Sequence, residues 1–200
     1  MRSHRPLLVV AAAVLALAAA GCGDGDAGPE AATGPPAAPT SPQRTATPPS
    51  PPRPDPSALA GLPAFTAGFA GWDRLNRDPI PPDSAQARRV GVDAHRGTKN
   101  VHVNVPRPRL RAGEGQRFPY PEGTIVVKAA GDDPSSPTLV AVMRKVAGSD
   151  PEHGDWHFRE YKRSGPGEAF STDDGLSGAT CWSCHAIAKG TDWVFTTLDP

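Results

Sequence analysis

Cysteine and methionine are scarce in this chain, and their scarcity limits the chemistry open to it. The 200 residues include three cysteines and two methionines. The cysteines are Cys22, Cys181 and Cys184. A structural zinc site usually needs a second pair of cysteine or histidine ligands, and the sequence has no second cysteine pair. A disulfide framework is also excluded if each of these cysteines has another role.

Neither sign of charge dominates the chain. Lysine and arginine number 21, aspartate and glutamate also number 21, and the formal net charge is zero. Proteins that bind nucleic acids usually carry a basic stripe, often interleaved with aromatic residues, and no such stripe is found here. We therefore expect no nucleic-acid partner.

The apolar run near the N-terminus is too short for a comfortable membrane span, which needs about 20 residues. It extends from Leu7 to Ala20 and follows Arg2 and Arg5, an order typical of a secretory signal. The run ends in Ala-Ala-Gly before Cys22, which is similar to a bacterial lipobox. We predict a lipoprotein signal peptide over residues 1–21 and lipidation of Cys22. An ordinary signal peptide with a chance cysteine is the alternative.

Proline, alanine, threonine, serine and glycine dominate residues 22–60. Such a segment buries too little apolar surface to offset its ordering entropy, so we predict a disordered, lipid-anchored linker. At about 3.1 Å per residue it could hold a domain roughly 100 Å from the membrane. A low-complexity tail with no length requirement is the alternative. Residues 61–200 then form one domain, of ordinary size for a single core.

The most specific motif is Cys181-Trp182-Ser183-Cys184-His185 near the C-terminus. Cys-x-x-Cys-His is typical of c-type haem attachment, in which both thiols bond to the haem and the histidine binds the iron. Half of a zinc site and a thioredoxin-like pair are the alternatives. The first needs a second cysteine pair, and the second needs a βαβ context that is absent. The single motif predicts one haem c (iron) per chain.

A second axial ligand to such a haem is hard to find in the sequence. The short tail after His185 contains neither methionine nor histidine, and Met143 lies in an apolar run typical of a core. His102 and His157 lie in predicted strands. We therefore predict an open distal site that binds small ligands. A six-coordinate electron-transfer cytochrome, with His102, His157 or Met143 as sixth ligand, stays as an alternative.

The hydrophobic pattern predicts an α+β, β-rich fold with an antiparallel sheet meander and a few helices. Period-two alternation and turn residues mark four strands, near 100–105, 124–128, 138–146 and 156–161. We predict helices near 64–76, near 84–90 and through the Cys-x-x-Cys-His motif.

Several blocks of the sequence occur in the order found in one family. They are Val101-His102-Val103-Asn104, Tyr120-Pro121-Glu122-Gly123-Thr124-Ile125-Val126-Val127-Lys128, Met143-Arg144-Lys145, Gly154-Asp155-Trp156-His157-Phe158, the haem motif, and Asp192-Trp193-Val194-Phe195-Thr196. In these blocks the chain resembles the cytochrome P-460 family from about Phe69 to Thr197. The resemblance implies a largely antiparallel β fold around one c-type haem with His185 as the proximal ligand.

The resemblance also implies two functional branches. Cytochromes P-460 proper oxidise hydroxylamine and carry a lysine bonded to the haem ring, whereas the similar cytochromes c′-beta lack that bond and bind nitric oxide or carbon monoxide in an apolar pocket. Lys128 is the first candidate for the bonded lysine, and a solvated side chain at a strand end is the alternative. An unknown redox partner is implied. A homodimer is an option that family members often take.

Replacing Cys22 by serine tests the predicted anchor. Because no other segment is long enough to hold the protein in a membrane, Cys22→Ser is expected to move it from the membrane fraction to the soluble fraction of the producing cell. Immunoblotting of the two fractions measures the change. A variant that stays with the membrane contradicts the lipobox.

Overall fold

The computed structural model describes residues 59–199, except for the side chains of residues 173–176. The predicted signal peptide, Cys22 and nearly all of the predicted linker lie outside the described residues. Among the helices within 59–199, none has both the length and the apolar character needed to cross a membrane.

Strands make up most of the regular structure. Residues 59–199 contain eight strands, β1 (Asp73–Arg74), β2 (Thr98–Val103), β3 (Arg111–Ala112), β4 (Gly115–Gln116), β5 (Ile125–Gly131), β6 (Leu139–Lys145), β7 (Trp156–Lys162) and β8 (Ser171–Ser177). The same part of the chain contains two α-helices, α1 (Arg107–Leu110) and α2 (Ala179–His185). Short 3-10 helices cover Ala64–Thr66, Phe69–Gly71, Pro151–His153 and Ala186–Thr191.

Six of the strands form one antiparallel sheet in the order β1-β2-β5-β6-β7-β8. Strands β3 and β4 form a separate hairpin between β2 and β5. Each strand of the large sheet pairs with the strand of that sheet that follows it in the chain, so the sheet is a meander. The predicted α+β, β-rich fold with an antiparallel meander is confirmed.

One face of this sheet, which we call the α2 face, packs against helix α2. Directly opposed residues of an antiparallel sheet point to the same side, so they form rows across the strands. The first row on the α2 face is partly charged and consists of Val101, Lys128, Ala141 and Glu160. The neighbouring row is apolar and consists of Val103, Val126, Met143 and Phe158. The core on this side includes the apolar row, and Cys181, Trp182 and Ala186 pack against it.

The opposite face of the sheet is covered by the segment before β1 and by Phe170. Its buried cluster contains Phe69, Val127, Val140, Val142 and other apolar residues of β5 to β7. Both faces of the central strands are therefore buried. This explains why β5 is an almost continuous apolar run rather than an alternating one.

The strand predictions agree with β2, β5, β6 and β7, and the helix through the motif is α2. Two predicted helices are wrong. Residues 64–76 contain two 3-10 turns and β1, because Gly68 takes a left-handed conformation between the turns. Residues 84–90 form successive turns. Ser84 Oγ accepts the Ala87 N–H there, which satisfies a donor locally without starting a regular helix.

Substitution of Gly97 tests how closely the chain approaches the Gly131 backbone just before β2. The φ of Gly97 is +95°, and an added Cβ would lie 2.6 Å from the Gly131 carbonyl oxygen. Gly91 has a φ of +84° with nothing within 4 Å of an added Cβ. Gly97→Ala is expected to lower the free energy of unfolding by about 1–3 kcal/mol more than Gly91→Ala, because only the first variant adds a clash to the left-handed penalty. Thermal unfolding of the two variants measures the difference, and equal losses would contradict the close approach.

Candidate haem site

Helix α2 carries the Cys-x-x-Cys-His motif on its last two turns. The helix follows Gly178, whose backbone (φ 52°, ψ −120°) suits glycine, and passes directly into the 3-10 helix Ala186–Thr191. Cys181 is half-buried and Cys184 is exposed, and neither forms a disulfide. Residues three apart on a helix share a face, so both thiols are presented from one side of α2.

The hydrogen bond of His185 fixes the tautomer of its ring. Nδ1 lies 2.7 Å from the Trp193 carbonyl oxygen. A carbonyl oxygen only accepts, so Nδ1 carries the hydrogen and Nε2 carries the lone pair. His185 is buried and its side chain lines a cavity. The ring is therefore held with Nε2 available to a metal, as is usual for a metal-binding histidine.

Burial and the positive charge of Lys128 lower the pKa of His185 to about 4, although the hydrogen bond to Trp193 opposes both effects. The imidazole is thus neutral at neutral pH, which is the form that binds metals. Phe158 and Phe195 flank the ring with centroids 5.0 Å and 4.8 Å away. Burial also raises the pKa of the Cys181 thiol to about 11.

The cavity lies between α2, the α2 face of the sheet and residues 82–97. Its wall includes Cys181, Cys184 and His185, and the apolar row supplies Val126, Met143 and Phe158. This wall is mostly apolar, as is usual for a cofactor site.

Charged groups concentrate at one side of the cavity, which we call the polar corner: Lys128, His95 and Glu160. Lys128 Nζ lies 3.1 Å from His95 Nδ1, and His95 Nε2 lies 3.2 Å from Glu160 Oε2. An ammonium group only donates, so His95 accepts at Nδ1 and donates from Nε2 to the carboxylate. Small Ala141 separates Lys128 from Glu160 in their row, and this leaves room for the imidazole of His95 between them.

Burial and neighbouring charges set the protonation state of each group in the polar corner. Burial and the positive charge of Lys99 lower the pKa of Lys128 to about 8, although Asp93 and Glu160 oppose the shift. Burial likewise lowers the pKa of His95. Burial alone would raise the pKa of Glu160, but hydrogen bonds from His95 and Lys162 hold it below its usual value. At neutral pH the corner therefore holds an ammonium, a neutral imidazole and a carboxylate.

Residues 82–97 cover the cavity without forming regular structure and are fixed by polar contacts. Lys99 Nζ lies 2.9 Å from Asp93 Oδ2 and donates to the Gly97 carbonyl at 2.7 Å. The Lys99 and Asp93 side chains are only 4% and 6% exposed. At the other end, the Arg89 guanidinium donates to the Phe195 carbonyl. These contacts place His95 over the sheet.

The donor set fits a c-type haem. Two thiols lie on one face of a helix, and the next residue is a neutral imidazole. Its Nδ1 binds the Trp193 carbonyl, so its Nε2 is available to a metal. All three side chains line a largely apolar cavity. Within residues 59–199 there is no cluster of three histidine, cysteine or acidic side chains suited to a metal ion.

The structure brings Lys128 together with Cys181, Cys184 and His185 at one cavity. Lys128 lies in the middle of β5 rather than at a strand end, and its Nζ contacts His95 on the α2 face. His102 and His157 share rows with Val127 and Arg144, so both lie on the opposite face of the sheet. Of the proposed sixth ligands, only Met143 lines the cavity.

The polar corner also contains residues that sequence reasoning did not single out. Glu160 had a detectable signal, because the period-two pattern of β7 places it on the same face as Trp156 and Phe158. A charged residue on an otherwise apolar strand face indicates a site. His95 had no such signal, since it lies in irregular chain between elements and only the tertiary fold brings it to Lys128.

Comparison with known proteins identifies the family. Residues 68–196 match the model of the family described as Cytochrome P460. The match covers more than half of the chain and includes the motif helix, the polar corner and the whole α2 face. No curated protein matches the chain.

Changing the charge of Glu160 tests the electrostatics of the polar corner. Because its carboxylate favours the ammonium form of Lys128, Glu160→Gln is expected to lower the pKa of Lys128 further below about 8. Lys99→Met is expected to raise it, since Lys99 repels the ammonium. The Cε chemical shift of Lys128 in an NMR pH titration measures both changes. Exposed Glu152→Gln is the control, and a Lys128 midpoint that ignores Glu160 would contradict the arrangement.

Proposed function

The chain belongs to the cytochrome P460 family, and from that membership we propose that it is a mono-haem c-type cytochrome acting on small nitrogen compounds. In this proposal Cys181 and Cys184 hold the haem through thioether bonds, and His185 Nε2 is the proximal ligand. The family match makes the chain a haem protein. Attachment as haem c and one haem per chain are inferred from the motif.

The observation that carries the proposal is the composition of the cavity. Apolar side chains line most of it, and one polar corner offers donors and acceptors from Lys128, His95 and Glu160. Nitric oxide or carbon monoxide would need only the apolar part. A hydrogen-bonding compound such as hydroxylamine would also use the corner, so redox conversion of such a compound is the better-supported function.

A bound haem would supply the redox chemistry, and the residues of the chain would bind the substrate and manage its protons. The Lys128 ammonium can donate to a nitrogen or oxygen atom of a small ligand. His95 can accept a proton from the Lys128 ammonium at Nδ1 and pass its Nε2 proton to the Glu160 carboxylate, which leaves a neutral Lys128 amine able to accept a proton from the substrate. The apolar row limits the space to a small molecule and excludes bulk water.

A second candidate is the branch with a lysine bonded to the haem ring. The specific observation in its favour is the position of Lys128, whose side chain lines the cavity and whose lowered pKa provides neutral amine near pH 8. A neutral amine is the nucleophilic form of lysine. The electron-carrier alternative has less support, because His102 and His157 lie across the sheet from the cavity and only Met143 remains.

The predicted export signal agrees with this function. Thioether attachment of haem takes place outside the cytoplasm. We therefore propose an extracytoplasmic protein tethered to the bacterial cell membrane through lipidated Cys22, with a redox partner in the same compartment.

The covalent haem can be tested by removing both thiols. In a Lys128→Met background, which excludes a lysine bond, replacing Cys181 and Cys184 by alanine is expected to abolish haem-dependent peroxidase staining on a denaturing gel, because none of the proposed covalent bonds would then hold the group. Ser183→Ala changes an exposed residue between the cysteines and should keep the stain. Staining that survives in the double variant would refute thioether attachment.

Proteolysis of the same preparations separates the two branches. If Lys128 is bonded to the haem, the peptide that contains Lys128 carries haem after proteolysis, and in Lys128→Met the corresponding peptide does not. If there is no such bond, only the peptide with Cys181 and Cys184 carries haem. Mass spectrometry of the haem-bearing peptides distinguishes these outcomes.

A further inference from the structure

A buried ion pair lies on the α2 face beyond the apolar row, outside the polar corner. Lys145 Nζ contacts Asp192 Oδ1 at 2.9 Å and Oδ2 at 2.7 Å, and both side chains are 9% exposed. Lys145 also donates to the Gly154 carbonyl at 2.9 Å. The ammonium has three hydrogens, so these contacts satisfy it.

The Asp192 carboxylate joins distant parts of the chain. Its Oδ2 accepts the Tyr120 N–H at 2.8 Å in addition to Lys145. The pair thus connects the end of β6, the segment before β5 and the C-terminal segment. Buried ion pairs contribute little net stability compared with well-packed apolar residues, so this one calls for a geometric explanation.

The backbone at the ion pair has an uncommon conformation. Asp192 and Trp193 have φ values of 52° and 66°, and left-handed backbone is infrequent for residues other than glycine. Two successive residues of this kind reverse the chain after the 3-10 helix Ala186–Thr191. The Trp193 N–H donates to the Ala188 carbonyl at 2.8 Å and the Trp193 carbonyl accepts from His185, so the peptide groups on both sides of the Trp193 Cα are held by hydrogen bonds.

The carbonyl presented by this turn is the one that accepts from His185 Nδ1. We propose that Lys145 and Asp192 are positioning residues for His185. The ion pair holds the left-handed turn, the turn aims the Trp193 carbonyl, and the carbonyl sets the orientation and basicity of the imidazole. This inference rests on the proposed ligation of haem by His185.

Gly154 provides independent support, because it allows the turn to approach Lys145. An added Cβ at Gly154 would lie 2.9 Å from Trp193 Cδ1 and 3.1 Å from Asp192 Oδ1. The same residue supplies the carbonyl that Lys145 binds. The turn after β6 is therefore shaped to receive both the ammonium and the Asp192–Trp193 turn.

The test measures the iron–histidine bond of the haem-loaded protein. Lys145→Met removes the cation, and the double variant Lys145→Met/Asp192→Asn removes both charges without leaving one buried alone. A loosened carbonyl gives less imidazolate character to His185. The ferrous iron–histidine stretching band is then expected to move to lower wavenumber, and the reduction potential is expected to rise, in both variants.

Lys189→Met is the matched control. Lys189 is exposed and places its ammonium 4.9 Å from the Trp193 ring, so it touches the same turn without binding Asp192. It should leave the band and the potential unchanged. A double variant that folds and retains the parent band and potential would overturn the proposal. The proposal would also be overturned if Lys145→Met and the double variant both fail to fold while Lys189→Met folds, because the ion pair would then serve the stability of the domain.

Failure of this inference is distinguishable from failure of the proposed function. If the parent protein shows no iron–histidine band, ligation by His185 fails. If the Cys181 and Cys184 double variant in the Lys128→Met background keeps its haem stain, the thioether attachment fails. If the parent shows the band and the ion-pair variants leave it in place, only the role of Lys145 and Asp192 fails.

Discussion

The site depends on one hydrogen bond, from His185 Nδ1 to the Trp193 carbonyl. Because a carbonyl can only accept, this bond decides which ring nitrogen keeps its lone pair. It also ties helix α2 to the C-terminal segment, which returns beneath the sheet and supplies Phe195 to the cavity wall. A protein that binds haem through one histidine needs that ring immobile, and the close carbonyl provides this without a second charged group.

The sheet contributes by sorting side chains into rows. Antiparallel register places Lys128 and Glu160 in one row with only Ala141 between them, and it places Val126, Met143 and Phe158 in the next. The polar corner and the apolar wall therefore arise from the same strands, at positions two residues apart along each strand. His95 completes the corner from irregular chain that is held by the buried Lys99–Asp93 pair. Lowered pKa values for Lys128 and His95 follow from burial of this cluster.

Sequence reasoning predicted the parts of this arrangement that depend on local pattern. The motif helix, the four central strands and the α+β class follow from spacing and alternation, and Lys128 was selected because its block resembles the family. The two helices predicted before β2 do not form, because Gly68 takes a left-handed conformation and the Ser84 side chain accepts a backbone N–H in a turn. His95, Asp93 and the Lys145–Asp192 pair could not be predicted, because contacts between residues distant in sequence create them. The face on which His102 lies could not be predicted either, because both faces of the sheet are buried and a buried strand residue can point to either one.

The central claim of the proposal is that, among residues 59–199, His185 is the only axial ligand and that the other side of the proposed haem is open to small molecules. The absorption spectrum of the reduced protein before and after addition of carbon monoxide tests this most directly. The account predicts a high-spin ferrous spectrum and a fast, single-phase shift, since no protein group has to leave first. A low-spin ferrous spectrum with a slow response limited by ligand loss, relieved by replacing Met143, would contradict it.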